Sequence, residues 1–352
     1  MPRCNLGAVT IREQVSLAEY TTFGIGGKAR YFALAENEAD VVEAVQLAAK
    51  RDLPLFVLGG GSNLLVPDEG FNGLVLLIWI QGITGSAQST PQVTTDEDGF
   101  FDVGAGERWD DLVVEAVRAN CAGIECLAGI PGSVGGTPVQ NVGAYGQEVS
   151  ETIASVRAFD RHSGEFVELS NTECGFRYRE SVFNTTERGR YIVTRVRFKL
   201  RPNGAPTLKY ADLQKRFGTS LPTLLEVSAA VRQIRDAKGM LIVDGDPDCR
   251  SAGSFFKNPI VAMDVLERIP GVPHWPAGEG HVKLPAAWLL EQAGFVKGYG
   301  SGPVRISSKH TLALTNRGGA TFADVVAMQD EIVAGVWAKF GVRLEREPVV
   351  LE

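Results

Sequence analysis

The chain has 352 residues, 44% of them hydrophobic and 22% charged, the make-up of a globular protein with core enough for two or three domains. Its 42 acidic and 35 basic side chains leave a net charge of −7, which argues against a general nucleic-acid binder. Any anionic ligand must then be met by a local group of Arg and Lys. Five cysteines (Cys4, Cys121, Cys126, Cys174 and Cys249) form no CxxC pair, so free thiols in a reducing compartment are expected rather than disulfides or zinc. The N-terminal MPRCNLGAVTIREQ lacks an apolar core, and the most apolar run, 74–80, is too short to span a bilayer. A cytoplasmic protein without a membrane segment is expected.

In chain order, 31–34 reads as a short strand and 38–51 as a helix with Val41, Val42, Val45 and Ala49 on one face. After Pro54, the apolar run 55–58 ends in Gly59, Gly60, Gly61, Ser62 and Asn63. Glycines closing a buried strand make a candidate phosphate loop, but no Lys-Ser or Lys-Thr follows, so it is not the nucleoside-triphosphate P-loop. Gly24, Gly26 and Ala29 match GxGxxA, yet a strand-like run follows where the dinucleotide fingerprint requires a helix. Residues 101–106 lead into a helix from about Trp109, but Trp109 stands where the third glycine would be. Both matches are discounted.

Residues 126–149, CLAGIPGSVGGTPVQNVGAYGQEV, are dense in glycine and nearly uncharged. A regular element would pay too much backbone entropy for such glycine density, and a solvated linker would carry charge. Two readings remain: a run of tight turns, or a folded loop whose backbone N–H groups approach a large polar ligand such as a phosphate.

The stretch 152–200 reads as β, with a hairpin turn at His162-Ser163-Gly164. Within 191–200, Ile192, Thr194, Val196, Phe198 and Leu200 share one face, and Val193, Arg195, Arg197 and Lys199 the other. Residues 201–206 look like a break between domains. A helix over about 222–237 has Leu224, Leu225, Val231 and Ile234 as its apolar stripe, with Gly239 as its stop. An irregular insertion is expected around 270–280 and a short helix at 285–293. Strand 311–315, helix 322–340 and strand 342–351 follow, with Thr321 and Asp324 at capping-box spacing.

Four histidines without HxxxH or HxxH spacing predict no metal site, and GxSxG is absent. In 250–259, RSAGSFFKNP, a glycine-flanked serine sits beside two aromatics, a cation and an amide. It is either a dry turn able to donate a proton or bind an anion, or an ordinary turn with a capping serine. In 176–183, FRYRESVF, arginine beside aromatics suits a planar carboxylate or phosphate, or else makes a surface salt-bridge turn.

Taken in order from residue 22 to 347, these stretches resemble one family, UDP-N-acetylenolpyruvoylglucosamine reductase. They are Thr22-Phe23-Gly24-Ile25-Gly26-Gly27, Leu58-Gly59-Gly60-Gly61-Ser62-Asn63, the loop Gly129 to Gly146, Tyr178-Arg179-Glu180-Ser181, Ala252-Gly253-Ser254-Phe255-Phe256-Lys257-Asn258-Pro259, and Leu344-Glu345-Arg346-Glu347. The resemblance implies an α+β chain: a two-part FAD-binding fold of the vanillyl-alcohol-oxidase (PCMH) type plus a third α+β substrate domain. The parts would be 1–70, to which 326–352 returns, then 71–205, and 215–325 over the substrate.

It further implies non-covalent FAD, with NADPH as co-substrate. The FAD would be held by Leu58, Gly59, Gly60, Gly61, Ser62, Asn63, Ile130, Pro131, Gly132, Ser133, Gly136, Thr137, Gln140, Asn141, Gly143, Ala144, Tyr145 and Val193. The implied substrate is the enolpyruvyl ether of UDP-N-acetylglucosamine, which receives a hydride at its methylene carbon in peptidoglycan precursor synthesis. Arg179 and Glu347 would meet the enolate-like charge, and Ser254 would supply the proton. Tyr210, in the subtype with a tyrosine lid, would bind the nucleotide with Lys238, Asn258 and Gln292. A monomer acting on small molecules, with no metal, nucleic acid or membrane partner, is expected.

The stretches 240–249 and 268–283 look inserted, and Pro348 after Glu347 leaves open whether Glu345 or Glu347 is the functional carboxylate. An oxidase on the same flavin fold would share the glycine loops. It would not require Arg179, Ser254 and Glu347 together in their motifs. A non-catalytic nucleotide-binding module is the alternative of another class.

Overall fold

The computed structural model describes residues 9–84 and 99–352, so Cys4 and the N-terminal eight residues lie outside it. The described chain falls into two compact units. The first comprises the described residues of 9–15, 29–60 and 72–235; the second comprises 16–28, 61–71 and 236–352. Each has its own hydrophobic core.

In the first unit, one sheet carries the strands Ile11–Ser16, Lys28–Ala35, Phe71–Ile78 and Leu55–Leu58, in that order. The last two are parallel, Leu55 beside Leu74 through Leu58 beside Leu77. Parallel neighbours need a long crossover, and the chain from Gly59 onward supplies it. The helix Glu38–Lys50 starts at a capping box in which Asn37 Oδ1 accepts the Asp40 N–H at 3.0 Å. It buries Val41, Ala44 and Ala48, while Ala49, expected on the apolar face, is exposed. Small alanines, rather than the neighbouring valines, make up much of its inward face.

A second, antiparallel sheet has the order Glu165–Ser170, Ile153–Asp160, Tyr191–Lys199, Phe100–Gly104, Ile83–Thr84. The expected hairpin closes with Asp160 opposite Glu165, and Gly164 takes φ +75° in the turn. Tyr191–Lys199 is the centre strand and alternates as its sequence predicts, except that Val193 is buried along with Ile192 and Thr194. A register shift between Arg157 and Ala158 bends the ladder at that point. Residues 201–206 lie within this unit, with Arg201–Pro202 paired to Cys121–Ala122.

The helix Trp109–Arg118 shows why Trp109 is no failed glycine. Its ring is fully buried 5.9 Å from that of Phe198, and its Nε1–H donates to the Leu127 carbonyl at 3.0 Å. Its backbone N–H, which a helix start leaves without an internal partner, donates to the Gly132 carbonyl at 3.1 Å. Both ends of Trp109 therefore hold the glycine-rich loop. Leu224–Ala237 is also helical, but Leu225 is exposed, and the inward face includes Ser228 and Arg235.

The second unit packs the helix Phe322–Phe340 through Val325, Met328, Ile332 and Val336. Thr321 and Asp324 form the expected capping box, and Gly341 ends the helix at φ +62°. Around it lie the helix Ala286–Gln292, the hairpin of Val304–Ile306 with Leu314–Asn316, and a small sheet of Ile260–Ala262, His281–Lys283 and Trp275–Pro276. The expected irregular insertion thus contains an edge strand, where a proline is tolerated. The final strand is interrupted: Val349–Val350 pairs parallel to Leu64–Leu65, while Arg346 makes an isolated antiparallel bridge to Phe256. Pro348, between the two pairings, offers no N–H to a ladder. No helix among the described residues is long and apolar enough to cross a membrane.

Replacing Trp109 with Phe should lower the denaturant midpoint by an amount equivalent to about 1–3 kcal/mol, the cost of one buried hydrogen bond and lost packing. Urea unfolding followed by circular dichroism measures this.

Candidate active site

Two glycine segments meet backbone to backbone in the first unit. A Cβ on Gly60 would stand 2.5 Å from Gly132 Cα and 2.7 Å from Ser133 N, and one on Gly59 would stand 2.8 Å from Ser133 Oγ. No side chain fits at Gly60 against that backbone, and one at Gly59 would have to displace the Ser133 hydroxyl. Leu58, buried at the strand end, delivers Gly59 and Gly60 into this contact. Ile130 and Pro131 lead into Gly132, which takes φ +129°. The 3-10 turn Val134–Gly136 follows, fixed by Val134 N to Glu107 O and Gly135 N to Ala105 O, each 2.8 Å. Thr137 Oγ1 closes it on the Val134 carbonyl at 2.7 Å. Ser133 Oγ is buried without a hydrogen-bond partner among the described residues, and a Cβ on Gly136 would meet nothing closer than that oxygen, at 3.8 Å.

The far half of the loop is braced from within. Asn141 is buried at φ +43°; its Nδ2 donates to Glu148 Oε2 and the Arg177 carbonyl, both at 3.0 Å, and its Oδ1 accepts the Ser150 N–H at 3.1 Å. These bonds occupy the Asn141 side chain within the protein. Gln140 is half-buried, Gly143 and Ala144 pair with Gln147 and Glu148, and Val193 lies buried on the centre strand of the larger sheet.

Arg179 rides on a tight turn made by reciprocal backbone bonds between Arg177 and Glu180, at 2.9 and 3.2 Å. The turn is tied to the loop, because Ser181 Oγ donates to the Val139 carbonyl at 2.6 Å and Arg179 Nη2 to the Gly143 carbonyl at 2.9 Å. Arg179 itself has φ +60°, a left-handed conformation that costs energy in any residue with a Cβ and concentrates at functional sites. Tyr210 meets the same loop: its ring packs edge-on against Tyr145 at 5.0 Å. Arg235, almost fully buried, donates from Nε to the Gly129 carbonyl at 3.0 Å. Burial pushes its guanidinium below the ordinary arginine range, and the facing Tyr145 opposes that shift.

Gly61, Ser62 and Asn63 belong to the second unit. Gly61 has φ +62° and leaves no room for a Cβ, which would sit 1.8 Å from the Tyr20 carbonyl. Asn63 reaches the Glu347 carbonyl at 3.4 Å, and its own carbonyl accepts the Val349 N–H at 2.9 Å. Ser254 stands on a half-exposed turn clamped on both sides. Thr22 Oγ1 donates to Ser251 O at 2.6 Å, Phe255 N to Leu312 O at 2.7 Å, and Glu347 N to Phe255 O at 2.9 Å. Lys257 N donates to Glu345 O at 2.9 Å, so 255–257 and 345–347 lie side by side. Glu345 is exposed and Glu347 half-buried.

Asn258 Oδ1 accepts the first N–H of the helix Ala286–Gln292 at 2.9 Å, and Gln292, exposed, ends that helix. Lys238 is half-buried just beyond Leu224–Ala237. Asn316, which the sequence did not single out, is a buried amide donating to the Phe23 and Gly24 carbonyls at 3.0 and 3.1 Å. Glu125, fully buried, was missed as well; a lone charge within the apolar run 121–130 was its signal. Among the described residues, no group of three His, Cys, Asp or Glu side chains could hold a metal.

The model for the C-terminal domain of UDP-N-acetylenolpyruvoylglucosamine reductase matches residues 246–351, and an FAD binding domain matches 29–170. A reductase of that name from Streptomyces coelicolor is 46% identical, covering 100% of this chain and 93% of its own. One from Thermobifida fusca is 45% identical, covering 96% and 97%. The chain belongs to the UDP-N-acetylenolpyruvoylglucosamine reductase family. A solved reductase of this family from Thermus caldophilus matches with TM-score 0.66 and 31% identity, over 97% of this chain and 100% of that one. The fold is accordingly the α+β, two-part FAD-binding type joined to the family's C-terminal domain.

The first unit's loops fit a flavin dinucleotide on their own geometry. Glycine backbone too close-packed for any side chain, beside a buried hydroxyl with no protein partner, is what a diphosphate requires. Replacing Gly60 with Ala should cut FAD affinity about tenfold or more, the consequence of a shift worth roughly 1.4 kcal/mol. The ratio of flavin absorbance to protein absorbance after purification should fall, while far-ultraviolet circular dichroism stays near that of the parent.

Proposed function

We propose that Arg179, Ser254 and Glu347 carry the family reaction in this chain. That reaction is NADPH-dependent reduction of the enolpyruvyl ether of UDP-N-acetylglucosamine to UDP-N-acetylmuramate. FAD held in this chain would supply hydride transfer between NADPH and the methylene carbon of the substrate. Leu58, Gly59, Gly60, Gly61, Ser62, Asn63, Ile130 to Ser133, Gly136, Thr137, Gln140, Asn141, Gly143 to Tyr145, and Val193 are the residues we assign to holding it.

The observation that carries the assignment is the backbone ladder joining Ser254's neighbour Phe255 to Glu347 at 2.9 Å. Two motifs distant in sequence are thereby fixed side by side within one unit. Gain of a hydride at the methylene leaves an electron pair on the adjacent, carboxylate-bearing carbon. Arg179, held at its left-handed φ by the loop, offers a forked cation to that carboxylate. Ser254 Oγ gives its proton to the carbon, a task open to so weak an acid only where the acceptor is strongly basic and well placed. Half-buried Glu347, rather than exposed Glu345, is the carboxylate we assign.

Tyr210, Lys238, Asn258 and Gln292 bind the nucleotide, supplying a phenol, a cation and amides to a diphosphate. In this reading, 1–70 with 326–352 and 71–205 serve the flavin, and 215–325 the substrate. The enzyme acts as a cytoplasmic monomer on small molecules.

Ser254→Ala should leave the rate of NADPH-driven flavin bleaching unchanged and slow reoxidation by the enolpyruvyl nucleotide by about 10²–10⁴-fold, the usual worth of a positioned acid. Anaerobic stopped-flow absorbance separates the two steps. Equal loss in both would remove Ser254 from this role. For Tyr210→Phe, steady-state kinetics should show KM for the nucleotide rising more than kcat falls; an unchanged KM contradicts the nucleotide role.

A further inference from the structure

Thr207 lies three residues before Tyr210, and each of its backbone and side-chain polar groups is tied to the glycine-rich loop. Its N–H donates to Glu125 Oε1 at 2.8 Å, its carbonyl accepts from Cys126 Sγ at 3.2 Å, and its Oγ1 accepts from Gln147 Nε2 at 3.2 Å. Glu125 is 0% exposed, and its carboxylate is met by neutral donors: besides Thr207 N, Gly123 N at 2.7 Å and Gln147 Nε2 at 2.9 Å. Gln147 in turn accepts the Cys126 N–H at 2.8 Å.

Burying a carboxylate against neutral donors is costly, and an apolar side chain could fill the same volume. What only a carboxylate can do here is accept from three N–H groups at once with two oxygens. A glutamine would turn an N–H toward one of them. The two limbs held by this group end in the Tyr145–Tyr210 pair: Gln147 is two residues after Tyr145, and a Cβ on Gly146 would stand 2.9 Å from Lys209 Cβ.

We propose that Glu125 is a positioning residue for nucleotide capture: with Gln147 and Cys126 it clamps Thr207, and through Thr207 it fixes the segment that presents Tyr210. This rests on Tyr210 binding the nucleotide. A purely structural role would alter stability and flavin content; a positioning role alters nucleotide affinity through Tyr210.

The test titrates the oxidised holoenzyme with UDP-N-acetylglucosamine enolpyruvate, following the flavin spectrum, in Glu125→Gln, Tyr210→Ala and the double variant. Glu125→Gln should raise Kd about tenfold, in line with loss of a buried hydrogen bond, with FAD content and NADPH bleaching unchanged. In the Tyr210→Ala background it should add less than about twofold, as expected of coupled residues. An equal rise in both backgrounds, or loss of FAD with Kd unchanged, overturns the proposal. If Tyr210→Ala alone leaves Kd unchanged, the nucleotide role of Tyr210 fails and the proposal with it. If Tyr210→Ala weakens binding and Glu125→Gln does not, only the proposal fails. Thr207→Val, which replaces just the hydroxyl with a methyl group, decides the matter if Glu125→Gln does not fold. A rise of about two- to threefold that vanishes with Tyr210→Ala supports the clamp, and an unchanged Kd overturns it.

Discussion

The first unit's site depends on a contact between two stretches of bare backbone. Gly59 and Gly60 press against Gly132 and Ser133 so closely that a single added carbon would overlap main-chain atoms or the Ser133 hydroxyl. Much of the unit's local structure serves that contact. A parallel pair of strands ends at Leu58 to deliver the first segment, and Trp109 grips the second from both its indole and its backbone. The penalty is backbone entropy at each glycine; the gain is a close backbone junction beside the buried Ser133 hydroxyl.

From that loop outward, the first unit holds its motif residues by short internal bonds. Arg179 is strained and tied to Gly143, Ser181 to Val139, and Asn141 to the turn that bears Arg179. The second unit works differently. Its serine turn and its C-terminal glutamate lie on neighbouring backbone segments, joined by a ladder. In the reaction we propose, preorganisation of this kind would spare the cost of arranging donors when charge develops.

Much of this was legible from residue order. The helix at 38–50, the hairpin at Gly164, the capping box at Thr321 and the alternation along 191–199 follow from local periodicity and turn chemistry, which tertiary contacts reinforce. The motif residues were legible because each sits in a short, distinctive string. What escaped were features set by long-range packing. Leu225 faces solvent although its spacing suits a core stripe, and Arg235 on the same helix is buried. Glu125 and Asn316 each satisfy buried backbone groups far away in sequence, a purpose that no local pattern encodes.

The central claim is that this chain passes electrons from NADPH through FAD to an enolpyruvyl nucleotide. The most direct measurement is the flavin spectrum of the parent protein under strict anaerobiosis. NADPH should bleach the flavin bands, and UDP-N-acetylglucosamine enolpyruvate alone should restore them with formation of one UDP-N-acetylmuramate per flavin. Bands that stay bleached until oxygen is admitted, or that NADPH does not bleach at all, would contradict the account.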